Sequence, residues 1–296
     1  MSHHYTRRTL SLAGIDPSQH TLAELQAMVR AVLEDGIHGI SFSPYVAGQG
    51  PETDISAAQI ESRLSVISDS VRWIRSFSCT HGLEQIPGIA KQMGLKTLVG
   101  AWIGGDAEKD AAEIEAVIEV AKAGHADIVA VGNEVLLREE LTEDELIAYI
   151  EQVRAAVPGV PVGYVDAYYL FELHPRVTAA CDVVLANCYP FWESVPAEHA
   201  LLYMKEMYRR AVRVAGGKPV IISETGWPDR GTAFGNAEPS RVNAIRYFLN
   251  TMKWAEEDGI DVFYFSSFDE AWKVADEGDV GAYWGLWDSE GSLKYV

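Results

Sequence analysis

Cysteine is scarce in this chain of 296 residues, being confined to Cys79, Cys181 and Cys188. Cys181 and Cys188 fall on one predicted strand, about 23 Å apart at roughly 3.3 Å per residue, which is too far to pair. Nothing in the sequence reads as a disulfide framework. Long apolar runs are missing too: no stretch reaches about 18 residues, and residues 1–12 lack the apolar centre of a secretory signal. As written the chain is expected in the cytoplasm, or in the periplasm or outside the cell if it is a processed fragment. Positive charge is also in short supply. Lys and Arg number 24 against 43 Asp and Glu, a formal charge of −19, which repels nucleic-acid backbones and anionic membrane surfaces.

Metal and phosphate signatures are lacking as well. Beyond the adjacent His3 and His4, the eight histidines are not spaced for a helical or loop metal site. Gly104-Gly105 and Gly216-Gly217 have neither the Lys-Ser/Thr sequel of a phosphate loop nor dinucleotide spacing, and read as turns. No metal and no cofactor is expected.

What is present is core. Hydrophobic residues make up 48% of the chain, with eight Trp, enough for a globular protein. Eight apolar runs, at residues 37–45, 71–78, 96–103, 128–134, 161–166, 183–189, 219–224 and 262–268, alternate with helical patterns. Thr142 and Glu145 form a capping box before one of those helices. No internal repeat or linker interrupts the alternation, so a single α/β domain is expected, a (β/α)8 barrel of residues 21–296 behind an N-terminal extension, 1–20. Residues 21–35 predict an extra helix before strand one. Little chain remains after strand eight, so this helix is expected to fill the last outer position.

Two strands end in a glutamate: the fourth in Asn133-Glu134 and the seventh in Ser223-Glu224. A charge is costly in a core, but at the carboxyl end of a barrel strand it faces the cleft where chemistry is done. Strands four and seven lie across the mouth from one another. Two facing carboxyls are what glycoside hydrolysis requires, one to protonate the leaving oxygen and one to attack or stabilise the anomeric carbon. A structural salt bridge is the alternative for each.

The blocks Val131-Gly132-Asn133-Glu134 and Glu224-Thr225-Gly226-Trp227-Pro228 resemble glycoside hydrolase family 17, the β-1,3-glucanase family, and especially its bacterial branch. The likeness continues in Ser41-Phe42-Ser43-Pro44-Tyr45, Ile74-Arg75-Ser76-Phe77, Phe268-Asp269-Glu270-Ala271-Trp272-Lys273, and Glu277-Gly278 through Tyr283-Trp284-Gly285-Leu286, in family order from about residue 37 onward. The resemblance implies that Glu134 is the general acid/base, that Glu224 is the nucleophile, and that Asn133 contacts the sugar hydroxyl next to the reacting carbon, the alternative for Asn133 being a loop cap. It also places Glu270 and Lys273 near the nucleophile, where the alternative is an exposed ion pair. Arg75, ending strand two, is expected either to favour the ionised nucleophile or to form a structural salt bridge.

Tyr45, Tyr189, Phe191, Trp192, Trp227, Phe268 and Trp272 follow strand ends and are expected to offer flat faces to sugar rings, the alternative for each being core. Phe191 departs from the tyrosine that relatives carry in a Pro-Tyr-Trp-Glu run. The implied activity is retaining hydrolysis of β-1,3-glucan through a covalent glycosyl-enzyme. The alternatives are transfer of that sugar to another glucan and, without catalysis, glucan binding alone. Bacterial relatives of this branch can be fused to membrane-bound glycosyltransferases, so excision from or fusion to such a protein is a further implication of the resemblance. Removal of Glu224, read as a cleft carboxylate, is expected to cost the fold nothing.

Overall fold

The computed structural model describes residues 14–295; His3, His4 and most of the extension 1–20 lie outside the described residues. Eight parallel strands run in chain order and close on themselves: β1 (Ile37–Ser41), β2 (Val71–Ser76), β3 (Lys96–Ala101), β4 (Ile128–Asn133), β5 (Val162–Ala167), β6 (Val183–Asn187), β7 (Val220–Thr225) and β8 (Val262–Tyr264). Closure is made where Gly39 and Ile40 of β1 pair with Phe263 and Tyr264 of β8. The helices are α1 (Leu22–Asp35), α2 (Ala57–Ile67), α3 (Ile86–Gln92), α4 (Ala107–Lys122), α5 (Glu143–Ala156), α6 (Leu170–Leu173), α7 (Pro175–Ala180), α8 (Ala200–Val214), α9 (Arg241–Asp258) and α10 (Val274–Glu277).

Strand alternation divides the apolar residues into two cores. Leu98, Ile128, Ala130, Val165, Val183, Leu185, Ile221 and Phe263, with Trp73 against them, form the inner plug. The intervening residues pack outward against the helices, the arrangement that makes a barrel a filled core rather than a pore.

Helix α1 takes the outer place left open after β8. Thr21 and Glu24 cap it reciprocally, Leu25, Val29 and Leu33 are buried, and it lies against α9 and the turn before β2. Just upstream, the Ile15 N–H donates to Asn250 Oδ1 at 2.6 Å.

Several strands stop earlier than their apolar runs predict, β1 and β8 by four residues each. Beyond Tyr264 the chain stays buried but pairs with a returning C-terminal segment. Ser266 N–H donates to Trp284 O at 3.1 Å, Leu286 N–H to Ser266 O at 2.9 Å, and Trp287 N–H to Ser267 O at 2.9 Å. Hydrophobicity reports burial, and here the burial is by a loop rather than a ladder. Among the described residues no helix is long and apolar enough to cross a membrane, and all three cysteines are free and buried.

Candidate active site

A bulge in each of two strands builds the site. Ile128 and Ala130 of β4 face the inner plug, so strict alternation would send Asn133 outward. One extra β4 residue against β5 between Ala130 and Asn133 resets the alternation. On β7, Ile222 and Glu224 oppose consecutive residues of β6, Ala186 and Asn187, and a second shift occurs against β8. Bulges bend a strand and re-aim its side chains. Here they turn Asn133 and Glu224 inward, onto Arg75 of β2. Gly132 has φ +81° and Glu134 φ +54°, and the left-handed conformation is unfavourable for a residue with a side chain. At the other strand end Gly226 is obligatory, since a Cβ there would lie 2.1 Å from the Phe265 carbonyl oxygen.

Arg75 is the hub. Its side chain is buried, and Nη1 donates to Glu224 Oε1 at 2.5 Å and to Ser223 O at 3.1 Å, while Nη2 donates to Asn133 Oδ1 at 2.6 Å. Tyr189 Oη donates to the other Glu224 oxygen at 2.7 Å. Glu224, 6% exposed, is thus an acceptor on both oxygens, one of them from a guanidinium, which is the bonding suited to a carboxylate.

Glu134 has different surroundings. Its one side-chain hydrogen bond among the described residues comes from Asn187 Nδ2 to Oε1, at 2.8 Å. Asn187 is oriented for this by Ser223 Oγ, which donates to Asn187 Oδ1 at 2.9 Å. Burial first, and the Glu224 charge second, push the Glu134 carboxyl up to about 7, against the opposing pull of the Asn187 hydrogen bond.

Glu270 and Lys273 form a buried ion pair, so the expectation of an exposed surface pair as their alternative does not hold. Lys273 Nζ sits 4.0 Å from the Phe265 ring centroid, and it is Arg75 that pairs with Glu224. Trp272 Nε1 donates to Glu270 Oε1 at 3.0 Å, and the Trp272 ring meets Tyr45 edge-on at 6.0 Å. Tyr189 and Trp192 are also half-buried rather than sealed. Phe191, Trp227 and Phe268 are corrections: each is at most 1% exposed and has no face for a sugar. Phe191 and Trp227 pack edge to face at 5.3 Å beside Trp284, and Arg63 lies over the Phe268 ring at 3.5 Å. They follow strands but point into packing, Phe191 and Phe268 against Trp284 and Trp287 of the C-terminal segment and Trp227 against Tyr247 of α9. Tyr45, at 7% exposure, contributes an edge at most.

Asn187 escaped the sequence reading because it is a polar residue inside an apolar run; its place two residues before Tyr189 at a strand end was the available signal. Glu277 escaped as well. Burial raises its carboxyl to about 7 while Lys273 opposes the shift, and Glu224 and Glu270 add to it. Among the described residues no group of three or more His, Cys, Asp or Glu could hold a metal ion.

A closed (β/α)8 barrel with two carboxyls at the mouth, on opposite strands and in unlike environments, is the architecture of a glycosidase. The comparisons agree: the family model described as the BtgE/BtgC glycoside hydrolase domain matches residues 39–285, and the chain belongs to that family. It is similar to a glucan 1,3-beta-glucosidase of Arthroderma benhamiae, 30% identical over 246 residues that cover 76% of this chain and 79% of that one. It is also similar to glucan 1,3-beta-glucosidase BGL2 of Candida albicans, 28% identical over 261 residues, 79% and 84% of the two chains. Among solved structures, the glycoside hydrolase family 17 beta-1,3-glucanosyltransferase from Rhizomucor miehei superposes with a TM-score of 0.79 at 27% identity, over 88% of this chain and 96% of that one. The family 17 resemblance is borne out. Its narrowing to a bacterial branch is not, since these relatives are fungal; short catalytic blocks shared by a whole family do not resolve a branch.

Proposed function

We propose that this chain is a retaining β-1,3-glucan-active glycoside hydrolase working through a covalent glycosyl-enzyme. The observation that carries the proposal is the unlike bonding of the two carboxyls: Glu224 accepts from Arg75 and Tyr189, while Glu134 is raised to about 7 and so keeps a proton near neutrality. In the first step Glu224 attacks the anomeric carbon as the bond to the leaving oxygen breaks, and the Glu134 proton passes to that oxygen. In the second, an incoming hydroxyl gives its proton to Glu134 and its oxygen displaces Glu224, so configuration is retained.

The supporting roles follow from position. Arg75 and Tyr189 hold the nucleophile, and Asn133, tied to Arg75, is placed to bond the hydroxyl beside the reacting carbon. Trp272, Trp192 and Tyr189 are the sugar platforms, with the Glu270–Lys273 pair fixing Trp272. The negative charge of the chain is indifferent to a neutral glucan. A non-catalytic binding barrel has less support, because binding needs aromatic faces and not an acid beside a buried nucleophile.

Transfer of the sugar to a second glucan, rather than to water, is the other reading of the same site, and the likeness to the Rhizomucor miehei glucanosyltransferase supports it. Incubation with laminari-oligosaccharides, followed by mass and by anomer-resolved NMR, tests both readings. Retained configuration is expected. Products longer than the substrate assign transfer; first-formed products of inverted configuration would end the covalent scheme.

We also propose that residues 21–296 are the catalytic unit behind an extension of residues 1–20, and that in the cell the unit is joined to, or cut from, a membrane-bound glycosyltransferase. The support is the family resemblance. A native polypeptide and transcript no longer than this chain would end that proposal.

A further inference from the structure

Behind the turn that carries Glu134 lies a buried pair with no part in the scheme above. Tyr164 and Asp166 project from β5 away from the inner plug, which is joined instead by Val165 between them. Tyr164 is 1% exposed and Asp166 not at all. Tyr164 Oη donates to Asp166 Oδ2 and accepts the Leu136 N–H at 3.0 Å. Asp166 Oδ1 accepts the Ala167 N–H at 2.7 Å, and the Leu137 amide favours the same carboxylate's charge. The Glu134 N–H itself donates to Val165 O at 2.8 Å.

Val165 and Tyr164 therefore hold the amides of residues 134 and 136, with Asp166 fixing the Tyr164 hydroxyl. That is the over-determination a side-chain-bearing residue at positive φ requires. The direction of the hydrogen bonds matters too. A tyrosine hydroxyl has one proton; an ionised Asp166 can only accept, so the hydroxyl donates to it and keeps a phenolic lone pair for the Leu136 amide.

We propose that Tyr164 and Asp166 are a positioning pair for Glu134, locking the turn that aims its carboxyl and, through the Asp166 charge, keeping the proton on it until the leaving oxygen takes it. The proposal rests on the acid/base reading of Glu134. The groups facing Glu134 are Glu224 from β7, Asn187 from β6, Asp166 from β5 and Arg138 from its own turn; the two carboxylates favour the proton, Asn187 and Arg138 its loss. Tyr189 and Tyr169 also feel the Glu134 charge. Asp166 faces Tyr164, Tyr169, Arg138 and the amides of Ala167 and Leu137. Burial pushes the Asp166 carboxyl up, but its two oxygens accept from the Tyr164 hydroxyl and the Ala167 N–H, the bonding of a carboxylate.

The test is the pH profile of kcat/KM for Asp166→Asn and Tyr164→Phe in the full chain, on a laminari-oligosaccharide and on an aryl β-glucoside with an activated leaving group, with Glu134→Gln alongside. Asp166→Asn should move the alkaline limb down by about half a pH unit or more. It should also lower kcat on the oligosaccharide on the order of ten- to a hundred-fold, with KM changed far less and a smaller loss on the aryl substrate. Tyr164→Phe keeps the charge, so it should lower kcat and leave the limb nearer its original place. An unmoved limb in folded Asp166→Asn overturns the proposal; if that variant does not fold, parental kcat in Tyr164→Phe overturns it. Glu134→Gln separates the two readings. A loss confined largely to the oligosaccharide upholds the acid whatever the pair variants do, and equal losses on both substrates remove the acid and the proposal with it.

Discussion

Glu134 and Glu224 are the same side chain in two surroundings, and substitution should expose the difference. Glu224→Ala is expected to abolish turnover on every substrate, and residual hydrolysis of an aryl glycoside above background would remove it as nucleophile. Read from sequence alone this change looks harmless to the fold. The structure reverses that expectation, because it leaves the buried Arg75 without its ion partner; breaking a buried pair costs on the order of 3 kcal/mol, measurable as a fall in melting temperature. Glu134→Gln should cost about a hundred- to ten-thousand-fold on natural glucan, whose poor leaving group needs the proton. Its effect on stability depends on pH. The folded state keeps the Glu134 proton up to about pH 7, whereas the ordinary value is 4.5, so the stability of the parent falls as pH rises through that window. The glutamine variant loses no proton and should be more stable than the parent by about 1–3 kcal/mol above pH 7, with the advantage gone below pH 4.5. Denaturant titrations at pH 4, 6 and 8 check this, and a pH-independent difference would mean that Glu134 titrates in the folded state where it does in the unfolded chain.

The strand ends and the first helix carry the predictions at the scale of elements. Gly226→Ala would drive a Cβ to within 2.1 Å of the Phe265 carbonyl oxygen, so β7 and β8 must part beside Glu224. A loss of about 1–3 kcal/mol, with activity falling further than stability accounts for, is expected from melting and kinetics together. A variant with parental stability and kcat would show that the two strand ends separate freely. Leu33→Ala tests whether α1 belongs to the barrel wall. Leu33 is 3% exposed, and a Leu→Ala cavity costs about 2–5 kcal/mol; a change below 0.5 kcal/mol would mean that α1 adheres only loosely. The outer helices and most strands were legible in the sequence because period and apolarity report burial. The bulges in β4 and β7 were not read: in β4 the strand-interior Gly132, at φ +81°, was the available mark, whereas nothing in Ile222–Glu224 shows where one residue is skipped by a neighbouring strand.

For the molecule as a whole, the charge of −19 and a neutral substrate lead to one more expectation. Without long-range steering, kcat/KM should vary less than about two-fold between low and moderate salt. The reaction draws its acid and its nucleophile from carboxyls and needs no Lewis acid, so a chelator should leave activity unchanged. A steep salt dependence, or loss with EDTA restored by a divalent ion, would place a charged ligand or a metal in the reaction.

What the sequence determined by itself was the alternation of strands and helices, hence the barrel, and the two glutamates at the ends of strands four and seven, because a charge can end a buried strand only where the strand meets a cleft. It also placed Arg75, Asn133, Glu270 and Lys273 near that cleft. The tertiary structure decided which groups meet. Arg75 rather than Lys273 holds Glu224, Asn187 reaches Glu134, and the β5 pair lies behind the acid turn. It also decided which aromatics stay partly exposed: Trp272, Trp192 and Tyr189 do, while Phe191, Trp227 and Phe268 are sealed in the packing. These outcomes depend on strand register, on a one-residue bulge and on a loop returning from far along the chain. Such long-range facts leave no periodic trace in the sequence, because the same apolar residue reads alike whether it packs against a helix, a strand or a returning loop.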